Sequence, residues 1–303
     1  MPRYIRIILI VVLVLVMLLG ILTAAYPIIS NYFSKKYASQ VQVEYEQQLD
    51  KVEDTKISQI LKDAIAYNEA LYTGSIHPGE NPTKAGYFNV LDPTGTGIMG
   101  YVEIPKINVN LPIYHGISNK VLQKGAGHMA QTSLPCGGEN THAAISAHTG
   151  LASAPMFTDL VQLDEGDVFY ISVLEEKLAY EVDQILTVDP TDVSHIGIED
   201  GQDLVTLITC TPYGVNSHRL LVRGHRIEYV QAPIVQEGGT GKPPQLSAYW
   251  QNYLNGIFSG MFAALILAAC ITIGVLARRQ RNLKRKEMTK HASIIDHGYL
   301  PVR

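Results

Sequence analysis

The sequence contains little cysteine, with three thiols in 303 residues. An exported domain held together by disulfides would show a dense, even set of cysteines, so this count argues against a disulfide framework. No Cys-x-x-Cys spacing occurs, which disfavours a zinc site built on thiolates. The chain also lacks an internal repeat and a glycine-rich phosphate-binding loop, so no nucleotide-binding motif is predicted.

Charged residues are also scarce, at 17% of the chain, and the mean hydropathy is positive at +0.08. Two uncharged, apolar runs explain both values, residues 7–27 and 257–277, and each has the roughly 20 residues that a membrane-spanning helix needs. A secretory signal peptide is the alternative for the first run, because residues 23–25, Thr-Ala-Ala, resemble a cleavage site. The run exceeds the apolar length of about 7–15 residues typical of signal peptides, which favours an uncleaved anchor.

Basic residues predict the orientation of the two spans. Arg3 and Arg6 precede the first span, and a basic cluster follows the second at once. The members of this cluster are Arg278, Arg279, Arg281, Lys284, Arg285 and Lys286. Since positive residues stay on the cytoplasmic side, we expect both termini to be cytoplasmic and residues 28–250 to lie outside a plasma membrane.

The predicted extracellular part is acidic. The two ends of the chain, with their spans, contain ten of the 24 basic and two of the 28 acidic residues, which leaves 14 basic and 26 acidic residues and a charge of −12. A nucleic-acid partner is therefore not expected. This charge would concentrate cationic groups such as a substrate lysine, although the solubility of an exposed domain explains it equally.

The segment after the first span is predicted to begin with a helix and to end in a loop. Apolar residues recur there at near-helical spacing among charged ones, which indicates an amphipathic helix. These residues are Leu49, Val52, Ile57, Ile60, Leu61, Ala64 and Leu71. The helix either docks on the following domain or acts as a stalk that lifts the domain off the membrane. Residues 74–96 are rich in Pro, Gly, Thr and Asn and predict an irregular connection.

The central region contains many short β-branched runs broken by Gly, Pro and Asn, which is typical of an all-β barrel or sandwich. A hairpin is predicted from the runs 168–173 and 178–188, on either side of Glu175 and Glu176. The whole chain is therefore divided into a cytoplasmic stub with the first span (1–27), a helical stalk and possible lid (28–97), a β domain (98–230), a Gly/Pro-rich linker (231–250), the second span (251–277) and a basic cytoplasmic tail (278–303).

A further predicted hairpin carries candidate chemistry. Residues 204–209 are apolar and β-branched, residues 212–216 have turn composition, and an apolar run resumes at residue 220. Such a hairpin makes Cys210 and Arg219 neighbours. Because a thiol with a pKa of about 8.5 is mostly protonated at neutral pH, a nearby guanidinium favours the reactive thiolate and can stabilise an oxyanion. The alternative is a buried structural cysteine beside a surface arginine.

The residues of this hairpin resemble the active-site hairpin of the sortases. Residues 206–210 read Thr-Leu-Ile-Thr-Cys, and residues 218–224 read His-Arg-Leu-Leu-Val-Arg-Gly. Upstream, residues 100–107 resemble the first barrel strand of the family, and residues 144–151, Ala-Ile-Ser-Ala-His-Thr-Gly-Leu, resemble the segment that carries its histidine. The motif Cys-Thr-Pro-Tyr-Gly and residues 108–127 are most similar to class C sortases, which polymerise pilins.

The resemblance covers roughly residues 98–228 and implies an all-β fold, a closed sortase-type β-barrel, with an N-terminal amphipathic helix and two flanking transmembrane helices. It implies a cysteine transpeptidase of Gram-positive cells, in which the Cys210 thiolate attacks the threonine carbonyl of an LPXTG-like sorting signal and forms a thioester. Arg219 would bind the oxyanion or position the peptide. A lysine amine of a pilin subunit then resolves the thioester, and since an amide replaces an amide, no cofactor or metal is implied.

A histidine is needed in this reaction to donate a proton to the departing amine and later to accept one. The chain has ten histidines, and both His142 and His148 flank a run that predicts a buried strand, so composition leaves both open. The resemblance implies His148, followed by Thr149 where close relatives often have Arg. His218 adjoins Arg219, but alternation along a strand turns it to the other face.

Two more residues have predicted roles. Thr209 corresponds to the family threonine that contacts the bound peptide, although in a generic strand it would serve only as a β-former. Cys136 is the one other thiol of the extracellular part, and a disulfide with Cys210 would silence the nucleophile, so Cys136 is predicted to be unpaired.

A lid over the cysteine is typical of class C sortases and would fall within residues 74–96. The family's lid carries an Asp-Pro-aromatic motif. Here His77-Pro78 lies near the expected place, whereas residues 92–94, Asp-Pro-Thr, lie too close to the first strand and lack the aromatic. The sequence therefore departs from the family pattern at the lid.

Two other functions are considered. A transpeptidase of the same fold could attach surface proteins to peptidoglycan, and the class C motifs and the second span argue against it. A non-catalytic, membrane-tethered β-domain scaffold would belong to another class, and the retention of Cys210, His148 and Arg219 together argues against it. The Cys-Gly-x-Cys-Trp signature of papain-like proteases is absent.

Overall fold

The computed structural model describes residues 3–79, 81–151, 153–230 and 248–296. These residues belong to two compact units, Met1–Tyr249 and Trp250–Arg303. Most of the predicted linker, residues 231–247, lies outside the described residues, as does the end of the predicted tail, residues 297–303.

Eight strands of the first unit form one closed barrel in the order β1-β2-β3-β4-β7-β8-β6-β5. The strands are β1 (Ile98–Ile104), β2 (Val109–His115), β3 (Ala126–His128), β4 (Thr141–Ser146), β5 (Val168–Val173), β6 (Glu176–Val188), β7 (Asp203–Thr211) and β8 (His218–Ile227). The predicted closed barrel is confirmed, and so is the predicted hairpin of β5 and β6. Most neighbours are antiparallel, but β2 pairs with β3, and β4 with β7, in parallel.

The helices of the described residues are α1 (Arg3–Leu49), α2 (Asp54–Tyr72), α3 (Asn119–Leu122) and α4 (Ala248–Asp296). Because α1 and α4 contain 47 and 49 residues, the expectation of an all-β fold is corrected: it describes the barrel and not the whole chain. Two stretches of these helices are long and apolar enough to cross a membrane, Val14–Leu49 and Tyr253–Arg285.

The amphipathic pattern predicted around residues 49–71 is divided between two helices, because α1 ends at Leu49 and α2 begins at Asp54. Both helices pack on the barrel and bury their apolar faces in its core cluster. Tyr45 of α1 lies edge-on to Tyr101 of β1, with ring centroids 5.5 Å apart. The predicted stalk is therefore docked on the β domain.

Side chains of β7 alternate between two apolar clusters. Val205 and Leu207 belong to the large core inside the barrel, whereas Ile208 packs with Ala144 and Leu221 in a smaller cluster. Because successive side chains of a strand point to opposite faces, the smaller cluster lies on the outer face of the barrel. Even-numbered residues of β4 and β7 therefore face outward.

The irregular segment between α2 and β1 is anchored by one buried tyrosine. Tyr87 is fully buried, and its hydroxyl accepts the Gly116 N–H at 2.9 Å. The same hydroxyl lies 2.9 Å from His128 Nδ1 and 3.0 Å from the His128 carbonyl oxygen. These contacts hold the segment against the ends of β2 and β3, and its role as a lid remains a prediction.

Cys136 lies near the start of β7, at the opposite end of that strand from Cys210. Its thiol is free and almost fully buried, and a Cβ placed on the adjacent Gly137 would meet Asp203 Oδ2 at 3.1 Å. Asp203 and Cys210 are separated along the strand by ~23 Å at about 3.3 Å per residue, far beyond disulfide distance. The prediction that Cys136 is unpaired is confirmed.

Replacing Tyr87 by Phe should destabilise the barrel. The change leaves the partly buried Gly116 N–H without its acceptor, which costs about 1 kcal/mol of the free energy of unfolding. Tyr72→Phe is the matched control, since the exposed Tyr72 hydroxyl contacts only the surface carboxylate of Asp200. Urea unfolding followed by circular dichroism measures both, and equal midpoints for the two variants would contradict the anchoring role of Tyr87.

Cys136 should resist alkylation in the folded protein. Burial raises the pKa of its thiol to about 12, so the reactive thiolate is nearly absent at mildly alkaline pH. We expect iodoacetamide to modify Cys136 only after denaturation in urea, as read by peptide mass spectrometry in the Cys210→Ala variant. Modification of native and denatured protein at the same rate would show that the thiol is accessible.

Candidate active site

The hairpin of β7 and β8 places Cys210 directly opposite Arg219. The two strands pair in the register Ile208 with Leu221 and Cys210 with Arg219. Paired residues of antiparallel strands present their side chains on the same face, so both lie on the outer face with Ile208 and Leu221. The register therefore makes Cys210 and Arg219 neighbours, as predicted from the sequence. Both residues are half-buried.

His148 follows the last residues of β4, which runs parallel to β7. The register pairs Ser146 with Ile208, and the Ala147 N–H donates to the Ile208 carbonyl oxygen at 3.1 Å. The chain leaves β4 at this point, so His148 follows Ala147 at the same end of the barrel at which Cys210 and Arg219 are paired.

The chain around His148 is held by backbone and hydroxyl hydrogen bonds. The Phe157 N–H donates to the His148 carbonyl oxygen at 3.0 Å, which returns the chain at Phe157 to the segment that carries His148. On the other side, the Thr209 hydroxyl donates to the Ala147 carbonyl oxygen at 2.8 Å and lies 3.0 Å from the Thr149 hydroxyl. His148 itself is half-buried.

Thr209 itself is buried, with 3% of its surface exposed, and points inward between Ile208 and Cys210. Its hydroxyl therefore ties β7 to the segment that carries His148. The predicted contact of Thr209 with a bound peptide remains a prediction. The partnership with Thr149 was not evident in the sequence, where Thr149 only replaces an expected arginine.

Arg219 is oriented by the turn that precedes it. Its Nη1 donates to the carbonyl oxygens of His218, at 3.0 Å, and Asn216, at 3.4 Å. Among the described residues Arg219 forms no salt bridge, so its positive charge is free to meet an anionic group. His218 pairs with Thr211, is exposed and contacts Ser217, so it faces away from Arg219 as predicted from strand alternation.

His142, the other histidine left open by composition, has a structural environment. It is fully buried on the outer side of β4. Its Nδ1 lies 2.7 Å from the Gly197 carbonyl oxygen, and its Nε2 lies 2.7 Å from the Thr206 hydroxyl. Burial lowers the pKa of His142, so the neutral form is favoured and both ring nitrogens are already engaged.

The turn between β7 and β8 also touches the loop after His148, a contact that the sequence did not reveal. Gly150 has a left-handed backbone, with φ of +71°, and a Cβ added to it would lie 3.2 Å from the ring of Tyr213. The ring thus packs directly over the glycine. In the part of the chain that the structure describes, no cluster of His, Cys, Asp or Glu side chains could hold a metal ion.

The matching family model is the sortase domain, over residues 102–227. Among solved structures, Streptococcus pneumoniae sortase C, whose description mentions pilin substrate specificity, is 45% identical, with 64% of this chain and 100% of that chain covered and a TM-score of 0.57. Clostridium perfringens sortase C, solved with the C-terminal cell wall sorting motif, is 42% identical, with 63% and 100% covered and a TM-score of 0.57.

Sortase A of Streptococcus agalactiae is 33% identical over 117 residues, which are 38% of this chain and 47% of that protein. The chain thus spans about half the length of this curated relative. The sortase C structures, by contrast, are covered over their full length at more than 40% identity. The chain belongs to the sortase family, and its structural relatives are of class C.

Proposed function

We propose that this protein is a membrane-anchored cysteine transpeptidase that cleaves an LPXTG-like sorting signal and joins it to a lysine amine of a pilin subunit. The observation that carries the proposal is the pairing of Cys210 with Arg219 across β7 and β8, next to the segment that leads from β4 to His148, in which the Ala147 N–H donates to the Ile208 carbonyl oxygen. The similarity to sortase C structures supports the choice of substrate.

Cleavage begins when the Cys210 thiolate attacks the threonine carbonyl of the sorting signal. The negative charge that develops on the carbonyl oxygen is bound by the Arg219 guanidinium, which has no carboxylate partner among the described residues. His148 donates a proton to the departing amine, and the C–N bond breaks as the C–S bond of the thioester remains. Thr209 holds the His148 segment in place and is the proposed contact of the bound peptide.

The second half of the reaction reverses the first with a different amine. The lysine amine loses a proton to His148 and attacks the thioester, and Cys210 leaves as the thiolate. One amide bond is formed for each amide bond broken, so the thioester conserves the energy and no further reactant is consumed. Water in place of lysine would make the protein a peptidase, so the site must exclude water.

The anchors support an extracellular location of this chemistry. Each apolar run has basic residues at the end that lies farther along the chain from the barrel. Arg3 and Arg6 precede the first run, and the cluster around Arg281 follows the second. We place both termini in the cytoplasm, the barrel (residues 98–230) outside the plasma membrane, and the linker (231–250) between barrel and second span.

The acceptor decides between this function and its alternatives. Purified protein is incubated with a sorting-signal peptide and then with a lysine-bearing pilin domain, and products are read by mass spectrometry. We expect a thioester on Cys210 and an acceptor-dependent amide product, with neither in Cys210→Ala. Hydrolysis without any acceptor product would overturn the pilin assignment, a product formed only with peptidoglycan amines would favour cell-wall attachment, and absence of the thioester would favour a scaffold.

Two histidine variants should separate catalysis from folding. His148→Ala should slow thioester formation by about 10²–10⁴-fold with little change in stability, because the half-buried imidazole acts on the departing amine. His142→Ala should instead lower the free energy of unfolding by about 1–3 kcal/mol, since the buried Thr206 hydroxyl loses its partner. Rates per folded molecule and urea midpoints measure both effects, and a fully active His148→Ala protein would remove His148 from the mechanism.

A further inference from the structure

Helix α1 connects the first candidate span to the barrel without interruption. It is continuous from Arg3 to Leu49, with Pro27 inside it, so the apolar residues 7–27 and the part that packs on the barrel form one helix. At about 1.5 Å per residue, residues 7–27 extend for ~30 Å, which equals the thickness of the hydrocarbon core of a bilayer. Any barrel residue that contacts α1 soon after residue 27 is therefore held at a defined height above the hydrocarbon.

One such contact joins α1 to the loop that follows His148. The Ser30 hydroxyl donates to the Ser153 carbonyl oxygen at 3.0 Å. Ser30 lies three residues beyond Pro27, ~4.5 Å further along the helix axis, whereas the headgroup layer of one leaflet is ~5–7 Å thick. Ser153 is thereby placed at the depth of the lipid headgroups.

Aromatic residues of α1 mark the same depth independently. Tyr26, Tyr32 and Phe33 are exposed on the helix, at 54%, 65% and 61%, and two lysines follow at positions 35 and 36. Tyrosines are enriched where a membrane protein crosses the headgroup layer, and lysines lie just beyond it. The belt of aromatic residues therefore brackets Ser30.

Two segments close to Ser153 lie at a similar depth relative to the membrane. Ser153 belongs to the loop that closes on His148 through the Phe157 N–H. The ring of Tyr213, from the turn between β7 and β8, packs on Gly150 of that loop. We call the described residues of these two segments, 149–151, 153–157 and 211–217, the catalytic rim.

The catalytic rim has a surface suited to a bilayer. Neither of its segments contains an aspartate or a glutamate, although acidic residues outnumber basic ones by 26 to 14 in residues 28–250. Val215 and Tyr213 are exposed at 70% and 39%. Because lipid headgroups contain anionic phosphates, a surface without acidic residues can approach them without bringing carboxylates against those phosphates.

We propose that the catalytic rim lies against the headgroup layer of the bilayer that α1 spans, so that the active end of the barrel faces the membrane. The partner of this surface is the lipid bilayer itself. The proposal rests on the membrane insertion of α1 stated under the proposed function. Its consequence is that donor peptides are captured at the membrane surface, before they extend away from it.

Depth-dependent fluorescence quenching tests this arrangement in the full chain. Single cysteines are introduced as Ser153→Cys, Val215→Cys, Tyr32→Cys and Glu175→Cys in a background with Cys210→Ala and Cys270→Ala, and each is labelled with an environment-sensitive fluorophore. Glu175 adjoins the start of β6, whose other end, Val188, pairs with Arg219, so it marks the far end of the barrel. The proteins are reconstituted in vesicles of phosphatidylglycerol and phosphatidylcholine that carry a nitroxide on the lipid headgroup.

We expect the labels at Ser153 and Val215 to lose as much emission as the label at Tyr32, and the label at Glu175 to lose little. Quenching at Tyr32 alone would overturn the proposal while leaving the membrane insertion of α1 intact. Absence of quenching at Tyr32 would overturn the insertion of α1 and this proposal with it. The acceptor assay with soluble peptides reports on transpeptidation separately, so the two proposals fail by different measurements.

Discussion

The parallel pairing of β4 with β7 is the constraint on which the candidate active site depends. It sets the end of β4 beside Cys210, and the antiparallel pairing of β7 with β8 adds Arg219 on the other side. A shift of this register by one residue would turn Cys210 into the barrel and bring Thr209 out. Such a shift would also take Val205 and Leu207 out of the large core and turn the Thr206 hydroxyl away from His142.

Burial, more than residue type, separates the reactive groups from the structural ones. His142 and Cys136 are buried, and burial lowers the pKa of the imidazole and raises that of the thiol, so both stay neutral. His148 and Cys210 are half-buried at the end of the same strands. The same barrel therefore supplies a rigid interior and, at one end of its strands, side chains that a peptide can reach.

Several elements were predictable because they depend on local sequence. The turn composition at residues 212–216 predicts the hairpin that pairs Cys210 with Arg219, and the register agrees. Helical periodicity predicts the apolar face around residues 49–71 but misses the break between Leu49 and Asp54, because the apolar spacing continues across the turn. The expectation of an all-β fold holds only for the barrel. The apolar run near the N-terminus predicts a membrane anchor of about 20 residues, whereas the helix that contains it has 47 residues.

The sequence by itself determined the hairpin that pairs Cys210 with Arg219, the two apolar spans and the β-rich centre, because each depends on residues close together in the chain. Only the tertiary structure distinguished the surroundings of His142 and His148, since their spacing along the chain is similar but His142 is fully buried and His148 is half-buried. It alone also revealed the contacts of Thr209 with Thr149 and of Ser30 with Ser153. These contacts join segments 60 and 123 residues apart, and no local pattern encodes which distant partner a hydroxyl will meet.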